Sequence, residues 1–311
     1  MDVPNDSHTL LHLIREVNEQ TNHEQYPIVV HCTAGVGRTG TYIAIDAMLD
    51  KIKQEEKVDI YNFVLQMRRE RHLMVQTVKQ YVFIYRSLLE YYLYGNTRIE
   101  ANSFRSIYSN LKNNKQVLLI SEYNKLPLLS VENISHRDAH LLTNIHKNRH
   151  TQIVPYDHNR VRLSRILGHP YINASFIEGY LHQSSFIITQ DPLSETIDEF
   201  WRLFIEHDSN CIVQLHTTIE KMNFRNGGPS CSIFCMSFIL LNQLNNEYSI
   251  DIFQRVRALQ RQRPAMITSF AQYEYLYEMI FKYLDQSFNL LPVKSSLSLN
   301  NSIYDNDQEN P

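Results

Sequence analysis

The chain has 311 residues, with 30 Lys+Arg against 33 Asp+Glu and a formal charge of −3. That balance excludes a nucleic-acid binder working through bulk charge, and 43% hydrophobic with 11% aromatic residues excludes a mainly disordered chain. Cys32, Cys211, Cys231 and Cys235 are too few and too unevenly spaced for a disulfide framework, so free thiols in a reducing compartment are expected.

The start, Met1-Asp2-Val3-Pro4-Asn5-Asp6, lacks the basic and apolar regions of a secretion signal. No run approaches the ~18 apolar residues that span a bilayer, so the chain reads as soluble and cytoplasmic. Ile28-Val29-Val30 reads as a buried strand, followed by a glycine-rich turn and a helix with Tyr42, Ile45, Met48, Leu49 and Ile52 at helical spacing. Helices are predicted near 58–72 and 77–93, closed by Gly95-Asn96-Thr97. A linker is expected over 99–120. Strands follow at 172–178 and 185–190, then a helix around Phe200-Trp201, a buried strand at Cys211-Ile212-Val213, and a disordered tail over 287–311.

The chain repeats itself at a shift of 192: Gly35 falls on Gly227, Asp59 on Asp251, Arg71 on Arg263, Met74 on Met266, Gln80 on Gln272 and Tyr81 on Tyr273. A period of that size means two copies of a domain rather than a solenoid. Strand, glycine turn and helix together give an α/β fold class.

The chemistry concentrates in His31-Cys32-Thr33-Ala34-Gly35-Val36-Gly37-Arg38-Thr39-Gly40. A Cys and an Arg six apart, with small residues between, form a loop whose amides can converge on an oxyanion. The helix that follows points its positive end at the same spot and lowers the Cys32 thiol. Arg38 supplies a planar fork for two phosphoryl oxygens. Cys32 then attacks phosphorus in line, a cysteinyl-phosphate forms, and Thr39 helps the sulfur leave when water hydrolyses it. His31 is expected to fix the loop. An inert cysteine in a buried turn is the alternative, and three glycines, an Arg and a Thr around one Cys fit it badly.

Residues 31–40 match, at every position, the signature of the classical protein tyrosine phosphatases, and Arg71, Met74-Val75-Gln76-Thr77 and Gln80-Tyr81 resemble that family's glutamine loop. The resemblance implies that Gln76 positions the hydrolytic water with help from Gln80, that residues 32–38 bind the phosphoryl group, and that no cofactor or metal is needed. In the second copy, Lys147-Asn148-Arg149, Pro155-Tyr156-Asp157, Tyr171-Ile172-Asn173-Ala174, Thr189-Gln190 and Phe200-Trp201 resemble the same family in the expected order. Two such units look like the intracellular part of a receptor-type phosphatase, alpha-like or leukocyte-common-antigen-like. The implied partners are tyrosine-phosphorylated proteins, with membrane attachment only through a segment absent from this chain.

The expected division is residues 1–98 as the C-terminal half of a catalytic domain, the linker, and a second domain over 121–286 carrying an internal deletion near 222. A twisted mixed sheet flanked by helices would serve both incomplete units. Met1-Asp2-Val3-Pro4 matches only the end of the family's acid loop, placing the acid Asp before Met1, and a half-domain over 1–98 needs help to fold, for instance from residues 121–221. By the shift, His31 becomes Asn223, Cys32 Phe224, Gly37 Pro229, Arg38 Ser230, Thr39 Cys231, Gly40 Ser232 and Gln76 Thr268, and His150 stands where a tyrosine is expected, so the second copy cannot run the reaction. Cys231 and Cys235 read as packed thiols. His146, His150 and His158 lack the pairing of a zinc site, and Tyr304-Asp305-Asn306 offers a Tyr-x-Asn pattern for an adaptor module if phosphorylated. The competing readings are a pseudophosphatase or regulatory module, and another Cys-x5-Arg chemistry such as arsenate reduction, against which the glutamine loop argues.

Overall fold

The computed structural model describes residues 3–4, 6–21, 26–129, 134–215 and 227–290. The first part is helical: α1 (His8–Gln20), α2 (Gly37–Glu55), α3 (Ile60–Glu70) and α4 (Val78–Tyr94). Ile45, Met48 and Leu49 of α2 are buried against Ile60, Val64, Phe83, Ile84 and Leu88, with Tyr42 and Ile52 half-buried at the margin. The start of α4 is sharply set, because Thr77 and Gln80 form a reciprocal capping box, a device stabilising by about 1 kcal/mol.

Ile28-Val29-Val30 is not a strand. It is coil, Val29 is 87% exposed, and no strand among the described residues lies beside it to complete a ladder.

Residues 99–120 are not a linker. They form β1 (Ile99–Glu100), which pairs antiparallel with β5 (Ser249–Ile250), and most of α5 (Phe104–Lys125). Ile99, Phe104, Tyr108 and Leu119 are buried in one core with α7 (Pro229–Glu247), α8 (Ile252–Gln260) and α9 (Phe270–Leu290). Helical spacing of those aromatics put a face to pack on what read as a polar stretch. Helix α9 also runs four residues past 286, into the expected tail.

The remaining sheet is β2 (Arg160–Arg162), β3 (Tyr171–Ile177) and β4 (Phe186–Thr189), in order β2-β3-β4, with α6 (Ile197–Glu206) following. Leu203 of α6 closes a small core with Val161, Leu163, Ile172 and Ala174. Every ladder among the described residues is antiparallel. The Cys211-Ile212-Val213 run, like 28–30, is exposed coil rather than a buried strand.

Residues 134–215 pack on the second helical unit, not on the first. Fully buried Arg263 donates to Ser175 Oγ at 3.0 Å and Asn173 Oδ1 at 2.8 Å, and Asn159 Nδ2 donates to Gln262 O at 2.7 Å. The first unit instead meets α8 through side chains. Arg257 donates to Glu90 Oε1 at 2.8 Å, Ser7 donates to the same carboxylate, and Asp251 accepts from Thr97 and faces His8 Nε2 at 3.0 Å.

The backbone repeats with the sequence. Positive φ occurs at Gly35 (67°), Glu56 (54°), Leu73 (65°) and Val75 (59°), and 192 positions later at Gly227 (66°), Tyr248 (53°), Ala265 (60°) and Ile267 (50°). Helices α2 and α7 begin and end at that same offset.

Candidate active site

The loop 31–36 runs from the unpaired segment into α2. Gly35 turns the chain at a φ that a side chain would strain, and its amide donates to Cys32 Sγ at 3.2 Å. The Thr39 hydroxyl, then the Thr39 amide, with lesser help from the amides of Ala34 and Val36, hold the Cys32 thiol down to about 6. Most of the sulfur is therefore thiolate at neutral pH. Thr39 Oγ1 is buried and makes no hydrogen bond of good geometry; it acts on the sulfur by proximity. Arg38 is exposed on the rim, its Nη2 donating to Thr33 Oγ1 at 3.1 Å.

The glutamine loop is brought to the cradle. Buried Gln80 accepts through Oε1 from Gln76 N at 2.9 Å and Thr77 N at 3.3 Å, fixing the backbone from which Gln76 projects. A Cβ on Gly37 would lie 2.8 Å from Gln76 Oε1 and 2.9 Å from Gln80 Nε2, so both amide ends sit against the floor of the cradle. Arg71 braces the loop from outside, with Nε donating to Gly35 O at 3.0 Å and Nη2 to Ala34 O at 3.4 Å. Val75 N donates to Val36 O at 3.1 Å and ties the two loops directly.

Arg68 was not anticipated. Its Nε donates to Met74 O at 2.8 Å and its Nη2 to Val75 O at 2.6 Å. The signal was absent from the sequence because its acceptors are carbonyls of a turn held at positive φ. His31, expected to fix the loop, is exposed and bonds no cradle atom among the described residues, since the unpaired strand before it gives it nothing to lean on.

The second unit keeps the scaffold. Arg263 Nε donates to Gly227 O at 3.0 Å, and Gln272 Oε1 accepts from Thr268 N at 2.8 Å and Ser269 N at 3.2 Å. These are the bonds of Arg71 and Gln80, displaced by 192 positions. Ser230 and Cys231 occupy the places of Arg38 and Thr39 at the start of α7. Burial pushes Cys231 up and Cys235 up to about 12. Asn223, Phe224, Tyr304 and the first two residues lie outside the described residues. Among the described residues no group of His, Cys, Asp and Glu could hold a metal ion, and no helix is long and apolar enough to cross a membrane.

The family model described as protein-tyrosine phosphatase matches residues 1–90, 144–226 and 222–282. The receptor-type tyrosine-protein phosphatase epsilon of Mus musculus is 43% identical over 219 residues, covering 68% of this chain and 31% of that protein. The receptor-type alpha protein of Homo sapiens is 32% identical over 356 residues, covering 83% and 44%. The receptor-type C protein of Homo sapiens is 29% identical over 406 residues, covering 89% and 31%. The chain thus spans less than half the length of each. A thiolate cradle braced by a glutamine loop and a family model matched over most of the chain lead to one conclusion: the chain belongs to the protein tyrosine phosphatase family.

Proposed function

We propose that the first unit is a protein tyrosine phosphatase site, hydrolysing phosphotyrosine in proteins through a cysteinyl-phosphate on Cys32. The observation that carries this reading is the Cys32 thiol held at about 6 inside a ring of amides, six residues from the Arg38 fork. In the first step the sulfur lone pair forms an S–P bond, the phenolic P–O bond breaks, and the leaving phenolate takes its proton from water. Arg38 and the amides of 33–38 hold the equatorial oxygens. In the second, water positioned by Gln76 forms a new P–O bond and gives its proton to solvent, the S–P bond breaks, and the Thr39 hydroxyl donates a hydrogen bond to the departing thiolate.

The chain then consists of two tandem units, both incomplete. The recurring bonds of Arg71 and Arg263, and of Gln80 and Gln272, support that division, as do two family-model matches that meet at 222–226 where a deletion is expected. The partners are tyrosine-phosphorylated proteins on the cytoplasmic side of a membrane, and Tyr304 is a candidate adaptor site.

A second reading, a regulatory fragment without turnover, is favoured by Ser230 and Cys231 standing where the second unit needs Arg and Thr. The test is a pre-steady-state burst with an aryl phosphate whose phenol leaves easily and so needs no general acid, run beside Cys32→Ser. A burst absent from the variant supports the enzyme. No burst from folded wild-type chain sinks it and leaves the regulatory reading.

A further inference from the structure

Helix α4 joins two sites. At its N-terminal end Gln80 anchors Gln76 against the cradle. Ten residues on, about 15 Å along a helix, Glu90 is buried against the second unit. Its carboxylate takes Arg257 Nη1 at 2.8 Å, with the two side chains 3% and 4% exposed, and also accepts from Ser7 Oγ. The Arg257 guanidinium lies 4.4 Å from the centroid of Tyr94 and donates to Gln254 Oε1 at 2.6 Å. Burial pushes Glu90 up, but Arg257 and Ser7 outweigh it and hold the carboxyl below its usual range.

The cradle itself is braced elsewhere. Arg71, at the C-terminal flank of α3, holds Gly35 and Ala34 of the cradle, while Arg68 of α3 holds Met74 and Val75 at the start of the glutamine loop, whose Val75 amide also bonds Val36 O. Of the loops at the site, Gln76-Thr77 is the one hydrogen-bonded to an α4 side chain, through the capping box and Gln80.

We propose that Arg257 of the second unit is a positioning residue for the glutamine loop of the first: by gripping Glu90 it sets where α4 sits, and so where Gln76 meets the phosphorylated cysteine. The second unit, without a nucleophile of its own, then governs the hydrolytic half of the reaction and leaves the thiolate attack alone. This rests on the phosphatase reading above. Loss of Arg257 leaves a buried, uncompensated carboxylate, and α4 relieves it by shifting toward water. A displacement of about 1 Å at a reacting group costs on the order of a hundredfold in rate.

The experiment compares full-length wild type, Arg257→Met, Arg257→Lys as the milder variant should Met not fold, and the double variant Glu90→Gln/Arg257→Met. An activated aryl phosphate gives the burst, which reports S–P formation, and the steady phase, which reports S–P breakage. Amide hydrogen exchange is followed at Gln76 and Thr77 against Gly40. The expected result for Arg257→Met is a burst rate within about twofold of wild type, a steady phase about tenfold or more slower, and faster exchange at Gln76 and Thr77 with Gly40 unchanged. The double variant recovers most of the steady phase, because no lone charge is left buried.

Equal loss of both phases, or exchange rising alike at Gly40, would mean general loosening and overturns the proposal, as does no change in either. A wild-type chain without a burst removes the phosphatase reading. Selective exchange at Gln76 and Thr77 then still supports the mechanical link, and its absence refutes it.

Discussion

Replacing Gly37 with alanine separates fold from chemistry. Gly37 is the first residue of α2 and lies outside the positive-φ set, so its backbone accepts a side chain, and helix propensity favours Ala by up to about 1 kcal/mol. Against that, the new methyl would sit 2.8 Å from Gln76 Oε1, 2.9 Å from Gln80 Nε2 and 3.2 Å from Gln80 Oε1. Overpacking of this kind costs about 1–3 kcal/mol if nothing yields. Only part of it yields: Gln76 is exposed and can swing away, whereas Gln80 is buried and pinned by the amides of Gln76 and Thr77 and keeps its close contact with the methyl. A net loss of about 1–2 kcal/mol is therefore expected, and the chemical consequence falls on the place of the Gln76 amide. A Tm about 2–8 °C below wild type is expected, with an intact burst and a steady phase slowed about tenfold to a hundredfold. Thermal unfolding and stopped-flow release of the phenol measure both. A variant that hydrolyses its intermediate at the wild-type rate would refute the placement of Gln76 on the cradle floor.

Alkylation of Cys32 by iodoacetamide should rise through a midpoint near 6 and plateau above it. In Thr39→Ala the midpoint moves to higher pH, since the largest group holding the thiol down is gone; an unmoved midpoint contradicts that role. The folded thiol titrates below the ordinary value of about 8.5, so its ionisation favours the fold above that pH. The contribution fades as pH falls through about 6. Gly227→Ala puts a methyl 2.4 Å from Thr189 O at a φ of 66°, a clash with backbone that should cost about 2–4 kcal/mol in urea unfolding. In thiol labelling followed by mass spectrometry at pH 7, Cys32 reacts first and exposed Cys211 next. Cys235, which burial pushes up to about 12, reacts only on unfolding, and early modification of Cys235 would contradict its packing.

Local chemistry was legible in the sequence. The glycines, Arg and Thr around Cys32 specify a loop whose amides have few other uses, and the resemblance of residues 74–81 to a glutamine loop pointed to Gln76 and Gln80, though not to the capping box by which Gln80 fixes Gln76. Helices α2 to α4 follow from apolar residues three and four apart. What misled was information held in partners. Ile28-Val29-Val30 and Cys211-Ile212-Val213 have strand composition, but a strand forms only when a neighbour supplies its hydrogen bonds, and composition does not say whether the neighbour is there. Residues 99–120 read as a polar connection because Phe104, Tyr108 and Leu119 are diluted by Ser, Asn and Lys. Their use as a core face is visible only once α9 lies against them. Arg68 was hidden for a different reason, since its acceptors are created by backbone geometry rather than by residue type.

The paired backbone excursions at Glu56 and Tyr248, Leu73 and Ala265, and Val75 and Ile267 share conformation without sharing side chains. Each left-handed residue other than glycine carries about 1 kcal/mol or more of strain, and the second unit bears it although Ser230 stands where the first unit has Arg38. The left-handed pattern is thus an heirloom of the scaffold, kept in both units while the side chains at the loop were exchanged. Kinship between diverged copies can be recognised from torsion angles alone, at positions where an amino-acid alignment would find nothing in common.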